Sequence, residues 1–146
     1  MQHAAKTVLR RMRRFGDPDS FLALLSRIRE LAPTAGIRSN FIAGFPGETD
    51  ADFAELCEFV AVARLDVAGV FGYSDEEGTE GAQLADHVDE DVIAERVAEL
   101  SQIVDATVDE RAAERIGESV RVLVEAVEDE QLVGRAAHQG PEVDGI

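Results

Sequence analysis

The stretch GIRSNFIAGFPGETDADF, residues 36–53, decides the fold. Its first half alternates. Ile37, Ser39, Phe41, Ala43 and Phe45 fall on one side of an extended chain, and Arg38, Asn40, Ile42 and Gly44 fall on the other. The first side is apolar. The second mixes small and polar groups, as expected of a strand that packs helices on one face and turns the other toward a ligand-bearing interior. The spacing then changes. Thr49 with Asp52 three positions on predicts a capping box, whose loss costs about 1 kcal/mol. Phe53, Leu56, Cys57 and Val60 recur at helical intervals. A second strand is predicted from Val67 to Tyr73. Strand, helix and strand in this order predict a βαβ unit with parallel strands and a right-handed crossover.

Upstream, Val8, Leu9, Met12 and Phe15 predict a short basic amphipathic helix that Gly16 ends. Asp17 and Pro18 are an N-cap and a first-turn proline, opening a helix whose apolar stripe is Phe21, Leu24, Leu25, Ile28 and Leu31. Downstream, SDEEGTEGAQ is an acidic, glycine-bearing loop at a strand's C-terminal end, where α/β folds bind ligands. A long polar helix follows, with Val92, Ile93, Val97, Leu100, Val104 and Val108 along one side and Gly117 at its end. Val120 to Glu125 then alternates like a strand, EDEQ is turn-like, and Leu132 to Ala137 is a candidate partner strand.

Charge is unevenly distributed over the 146 residues, whose net charge is −16. Residues 1–40 hold eight basic and three acidic residues, while residues 41–146 hold six basic and 27 acidic ones. The second part repels polyanions and attracts basic partners, although a solvated acidic surface has the same composition. No apolar run is long enough to span a membrane, and no apolar segment follows the basic N-terminus as in a signal peptide. The lone Cys57 forms no internal disulfide, so a cytoplasmic location is expected.

The residues alone carry no strong catalytic motif. His3, His87 and His138 are scattered without metal-ligand spacing, so each is expected to be solvated and no metal site is expected. Cys57 sits in an apolar stripe and is expected to act as a small hydrophobe. Gly44 and Gly47 either bring backbone close to a ligand or make a tight strand-to-helix turn, and spacing leaves both open. Asp75, Glu76, Glu77 and Glu80 are candidates for a cation or a basic peptide, or simply form a wet loop.

A family resemblance goes further. GIRSNFIAGFPGETDADF resembles the fifth strand and turn of radical S-adenosylmethionine methylthiotransferases, and GVFGYSDEEGTEGAQL, residues 69–84, resembles the sixth strand and its loop. QHAAKTVLRRMRR, residues 2–14, is similar to the segment after the fourth strand. ERIGESVRVLVEAVEDEQLVGRAAHQGPEVDG, residues 114–145, resembles the first half of a TRAM domain, a small OB-like barrel. The resemblance implies an α/β chain: the C-terminal part of a partial (β/α) radical-SAM barrel over residues 1–113, then a truncated β domain over 114–146.

It also implies a reaction. In this family an iron–sulfur cluster cleaves S-adenosylmethionine to a radical that takes hydrogen from an unactivated carbon, and a second cluster takes part in sulfur delivery. The positions matching cofactor-contacting regions are Gln2, Asn40, Ile42, Gly44 and Tyr73, with Asn40 where the family has glycine. The family's acid would fall at Gly47, which leaves Glu48 out of register. The YSDEEGT loop is similar to the branch that methylthiolates the β-carbon of an aspartate in ribosomal protein S-twelve. Asp75, Glu76 and Glu77 are its implied substrate-facing residues, and the segment from Glu114 on, with eight acids and three arginines, suits a basic protein better than tRNA. The alternatives are the tRNA-adenosine branch, a non-catalytic substrate-binding module, and an unrelated α/β fragment with a phosphate ligand. The cysteines that hold the two 4Fe–4S clusters have no counterpart in this sequence, so the chain alone is expected to be inactive and to bind no cluster.

Overall fold

The computed structural model describes residues 1–128 and 131–140. Its elements run α1 (Lys6–Arg11), α2 (Pro18–Leu31), β1 (Arg38–Ala43), α3 (Asp50–Ala63), β2 (Val67–Gly72), a 3-10 turn (Gly81–Gln83), α4 (Glu90–Glu114), β3 (Val122–Glu128) and β4 (Gln131–Ala136). β1 and β2 pair in parallel, in register from Arg38↔Val67 to Ala43↔Gly72, so the βαβ unit forms as its periodicity predicts. The first residues lie along the other edge of β1, where the Ile42 N–H donates to the Gln2 carbonyl at 2.9 Å and the Ser39 hydroxyl to that of Met1 at 2.8 Å.

Thr49 caps α3 with the reciprocal bonds of a capping box, and the Thr7 hydroxyl donates to the same Asp52 side chain, tying α1 to the start of α3. The core lies between one face of the sheet and the helices. Phe41, Leu56, Phe59, Val60, Leu65 and Leu100 are all buried there. Leu56 is fully enclosed, and truncating such a side chain to alanine costs about 2–5 kcal/mol. At the opposite end of the strands from the cleft described below, the Asp66 carboxylate accepts from the Ile37 N–H at 2.8 Å and from Arg111 and Arg115 at 3.1 and 2.6 Å. This joins the start of β1 to the end of α4.

Several expectations are corrected. α1 stops at Arg11, because Arg13 turns left-handed and the Arg13 and Arg14 N–H groups bond back to the Arg10 and Leu9 carbonyls. Phe15 therefore lies outside the helix and is 94% exposed. In α2 the buried side is carried by Leu25, with Phe21 and Leu22 packed on the core, while Leu24 and Leu31 face solvent. The helix lies at the rim and meets few elements. α4 buries Leu100 and Val104 as its spacing predicts, but Arg96 and Thr107 lie buried on the same side. β3 and β4 pair antiparallel, with an irregularity between Val124 and Ala126 that breaks the simple alternation. The EDEQ turn falls partly, and the PEVDGI tail wholly, outside the described residues.

Candidate functional site

The sheet face turned away from α3 and α4 opens onto a cavity of about 410 Å³, lined by Gln2, Asn40, Ile42, Phe45, Phe71 and Tyr73 with neighbouring backbone. Residues on it alternate with the buried Phe41 and Ala43. A second cavity of about 620 Å³ shares Gln2, Ile42, Phe45, Tyr73 and Ser74 with the first and extends between the end of α1 and the 74–84 loop. Both volumes suit a small molecule, and both lie toward the C-terminal ends of the parallel strands.

Four of the five candidate cofactor residues, Gln2, Asn40, Ile42 and Tyr73, line the smaller cavity together. Gly44 stands apart from its lining. Its φ of +78° breaks the alternation, and a Cβ built there would lie 2.4 Å from Ile93 on α4. A Cβ on Gly47, also left-handed, would lie 2.0 Å from the Arg11 guanidinium. The GFPG turn thus gains its close approaches against α4 and the Arg11 side chain, not against the smaller cavity. Gln2 Oε1 is buried and meets no hydrogen-bond donor among the described residues.

On the loop side, the Tyr73 hydroxyl donates to Asp75 at 2.7 Å, and His87 Nε2 lies 3.0 Å from the same carboxylate oxygen. The hydrogen bond from Tyr73, then that from His87, holds the Asp75 carboxyl below its ordinary range. Burial, with the bond and charge of Asp75, pushes the Tyr73 hydroxyl up to about 12. Asp75 is therefore engaged within the fold. Glu76 lines the larger cavity, whereas Glu77 is exposed and belongs to neither lining. Arg11, Arg13 and Arg14 form the opposite wall. Arg13 pairs with Glu80 across the opening at 2.8 Å. It keeps a left-handed backbone at a cost of roughly 1–2 kcal/mol for a residue with a side chain. These three arginines were not among the sequence candidates, although with Arg10 they crowd residues 10–14.

Beneath the cleft lies a buried polar cluster that sequence reasoning missed. His3 is fully buried instead of solvated, and Glu48 and Arg96 are 5% and 7% exposed. Glu48 Oε1 accepts from Arg96 at 2.9 Å, Oε2 accepts from the Gly44 N–H at 2.9 Å, and Arg96 also reaches Asp50 at 2.6 Å. Arg96 lies over the Phe53 ring, 5.4 Å from its centroid. His3 Nε2 lies 3.2 Å from Glu48 Oε2, in close contact but off the line of a well-formed hydrogen bond. Arg96 left one trace in the sequence: it interrupts the four-residue series Val92, Leu100, Val104 on the buried side of α4. Cys57 lies half-buried beside the core, and burial, with the charges of Glu99 and Glu48, pushes its thiol up to about 11. No described helix is long and apolar enough to cross a membrane, and no metal-holding group of His, Cys, Asp and Glu occurs among the described residues.

Residues 116–146 match the family model of the TRAM domain. Proteins named ribosomal protein uS12 methylthiotransferase RimO, from Nocardioides sp., Saccharopolyspora erythraea and Streptomyces avermitilis, are each 61% identical over 99% of this chain. The chain spans 31%, 30% and 29% of their respective lengths. Among solved structures, coproporphyrinogen III oxidase (HemN) from Escherichia coli, a radical SAM enzyme, matches with a TM-score of 0.56 and 29% identity. That match covers 70% of this chain and 25% of HemN. The α/β part therefore shares its fold with a radical SAM enzyme, and the last residues form part of a TRAM domain.

Proposed function

We propose that this chain, which belongs with the RimO methylthiotransferases across the segment it spans, is the part of such an enzyme that holds the nucleoside end of S-adenosylmethionine and the substrate-side rim. One observation carries the reading. Gln2 Oε1 is a buried acceptor without a donor among the described residues, and it lines a cleft with Asn40, Ile42 and Tyr73. A nucleoside offers hydroxyl donors for such an acceptor and an apolar ring face for Ile42 and Phe45, so these residues fit that cofactor. Bound there, it supplies the chemistry that activates a carbon–hydrogen bond. The chain's own part is to bind and orient it and to keep water from the apolar floor.

The residues do not fit an iron–sulfur cluster. Clusters are held by several thiolates, and the only cysteine is Cys57, whose thiol stays protonated. The chain alone catalyses no methylthiolation, and reconstitution with iron and sulfide is expected to leave no stable cluster absorption band.

The substrate of the whole enzyme, in this reading, is an aspartate of the basic ribosomal protein uS12. The acidic segment that follows the cleft suits a basic protein and disfavours nucleic acid or an anionic membrane surface. The working division is residues 1–113 for the cofactor part and 114–146 for the TRAM part, in a cytoplasmic protein. The test is titration of the chain with S-adenosylmethionine, followed by amide NMR shifts. Shifts confined to residues around Gln2, Ile42 and Tyr73, with affinity reduced about tenfold or more in Gln2→Ala (about 1.4 kcal/mol), are expected. No shifts at millimolar cofactor would sink the reading.

A further inference from the structure

Gln2 and His3 are consecutive residues ahead of α1, and their side chains diverge. Gln2 lines the cleft, and His3 is buried within contact distance of Glu48. The His3 ring accepts from the Ala5 N–H through Nδ1 at 3.0 Å, which places the ring proton on Nε2, facing Glu48. Glu48 in turn holds the Gly44 N–H, just after the strand residue Ile42 that lines the cleft. Arg96, from α4, supplies the charge that compensates the buried carboxylate and is itself held by Asp50 and the Phe53 ring. One carboxylate thus connects the Gln2 segment, the turn after β1 and the helix behind the sheet.

We infer that His3, Glu48 and Arg96 act as positioning residues that fix Gln2 and the Ile42–Gly44 turn relative to one another at the cleft, an inference that rests on the proposed cofactor reading. The physical case is the choice of buried polar groups. Apolar side chains of similar volume would fill this space with no desolvation penalty, but they would not hold a defined direction. The Gln2 main chain has one bond to β1, from Ile42, and its side-chain oxygen has none. The segment is held to β1 by that bond and by the Ser39 hydroxyl on the Met1 carbonyl, and His3 packs beneath it against Glu48. His3 acts through Glu48, and Glu48 is held in place by Arg96.

The experiment uses the whole 146-residue chain, isotope-labelled, with Glu48→Gln and His3→Gln as perturbations and Asp66→Asn as a control at the far end of the sheet. Without ligand, both perturbations are expected to move the Gln2 side-chain amide and Gly44 resonances, and the control is expected to leave them in place while lowering the thermal midpoint. With S-adenosylmethionine, each perturbation weakens binding about tenfold. The double variant Gln2→Ala/Glu48→Gln loses clearly less than the product of the two single losses, because Glu48 acts in part through Gln2. Unchanged Gln2 resonances in a folded Glu48→Gln protein, or additive losses in the double variant, overturn the inference. If Glu48→Gln does not fold, the charge-neutral Glu48→Gln/Arg96→Met protein is judged by the same two readouts. If the unaltered chain binds no cofactor while Glu48→Gln still moves Gln2, the cofactor reading fails and the positioning role stands.

Discussion

Replacing Asp66 with alanine removes one carboxylate from three donors at once. Its side chain is 7% exposed, and it accepts from the Ile37 N–H, Arg111 and Arg115. A buried N–H left without a partner costs about 1–3 kcal/mol. The two arginines are 22% and 16% exposed, so they recover part of their hydration and add less than a fully buried pair would. A total of about 2–4 kcal/mol follows, which for a chain of this length lowers Tm by roughly 6–13 °C. Burial is the largest single influence on the Asp66 carboxyl and raises its pKa. The bonds from Ile37 and Arg115, with the charges of Arg111 and Arg115, outweigh it, so the folded-state pKa lies below the ordinary value. A depressed carboxylate stabilises the fold fully above its unfolded pKa, near 4, and loses that contribution as pH falls through the folded one. Thermal melts followed by circular dichroism should therefore show the full gap between parent and Asp66→Ala at pH 7, narrowing in acid from about pH 5 downward. A gap under about 2 °C at pH 7, or one that stays constant to pH 2, would refute the reasoning.

Three further outcomes are expected. Gly44→Ala should destabilise by about 2 kcal/mol or more, from the left-handed backbone and the collision with Ile93; Ile93→Ala in the same chain should restore the collision part but not the backbone part, as read by urea midpoints. Thr49→Ala should cost about 1 kcal/mol in the same assay, since it leaves the first-turn N–H of α3 without its cap. Cys57 should react with a disulfide reagent far more slowly than a free thiol at pH 8 and become fast in denaturant; rapid labelling of the folded chain would contradict its high thiol pKa.

Much of the fold was legible because it is local. Alternation around Phe41, the Thr49 and Asp52 cap, and the four-residue repeats of α3 each fall within a few positions, and each forms as its spacing predicts. The same alternation grouped Asn40 with Ile42, which the fold places in one cavity with Gln2 and Tyr73. It failed at Gly44, where a positive φ rotates the next position out of the pattern. It failed at Phe15 for a similar reason, since a left-handed Arg13 had already closed the helix.

By itself, then, the sequence determined the βαβ unit, the helix caps, the acidic imbalance and the absence of cluster thiols, all properties of neighbouring residues or of composition. Only the tertiary structure decided which polar groups leave water. His3, Glu48 and Arg96 are separated by 45 and 48 positions, and no local period marks a histidine, an acid and an arginine for burial together. Each is costly to bury alone and tolerable only beside the others, so their placement follows from three elements meeting beneath one turn.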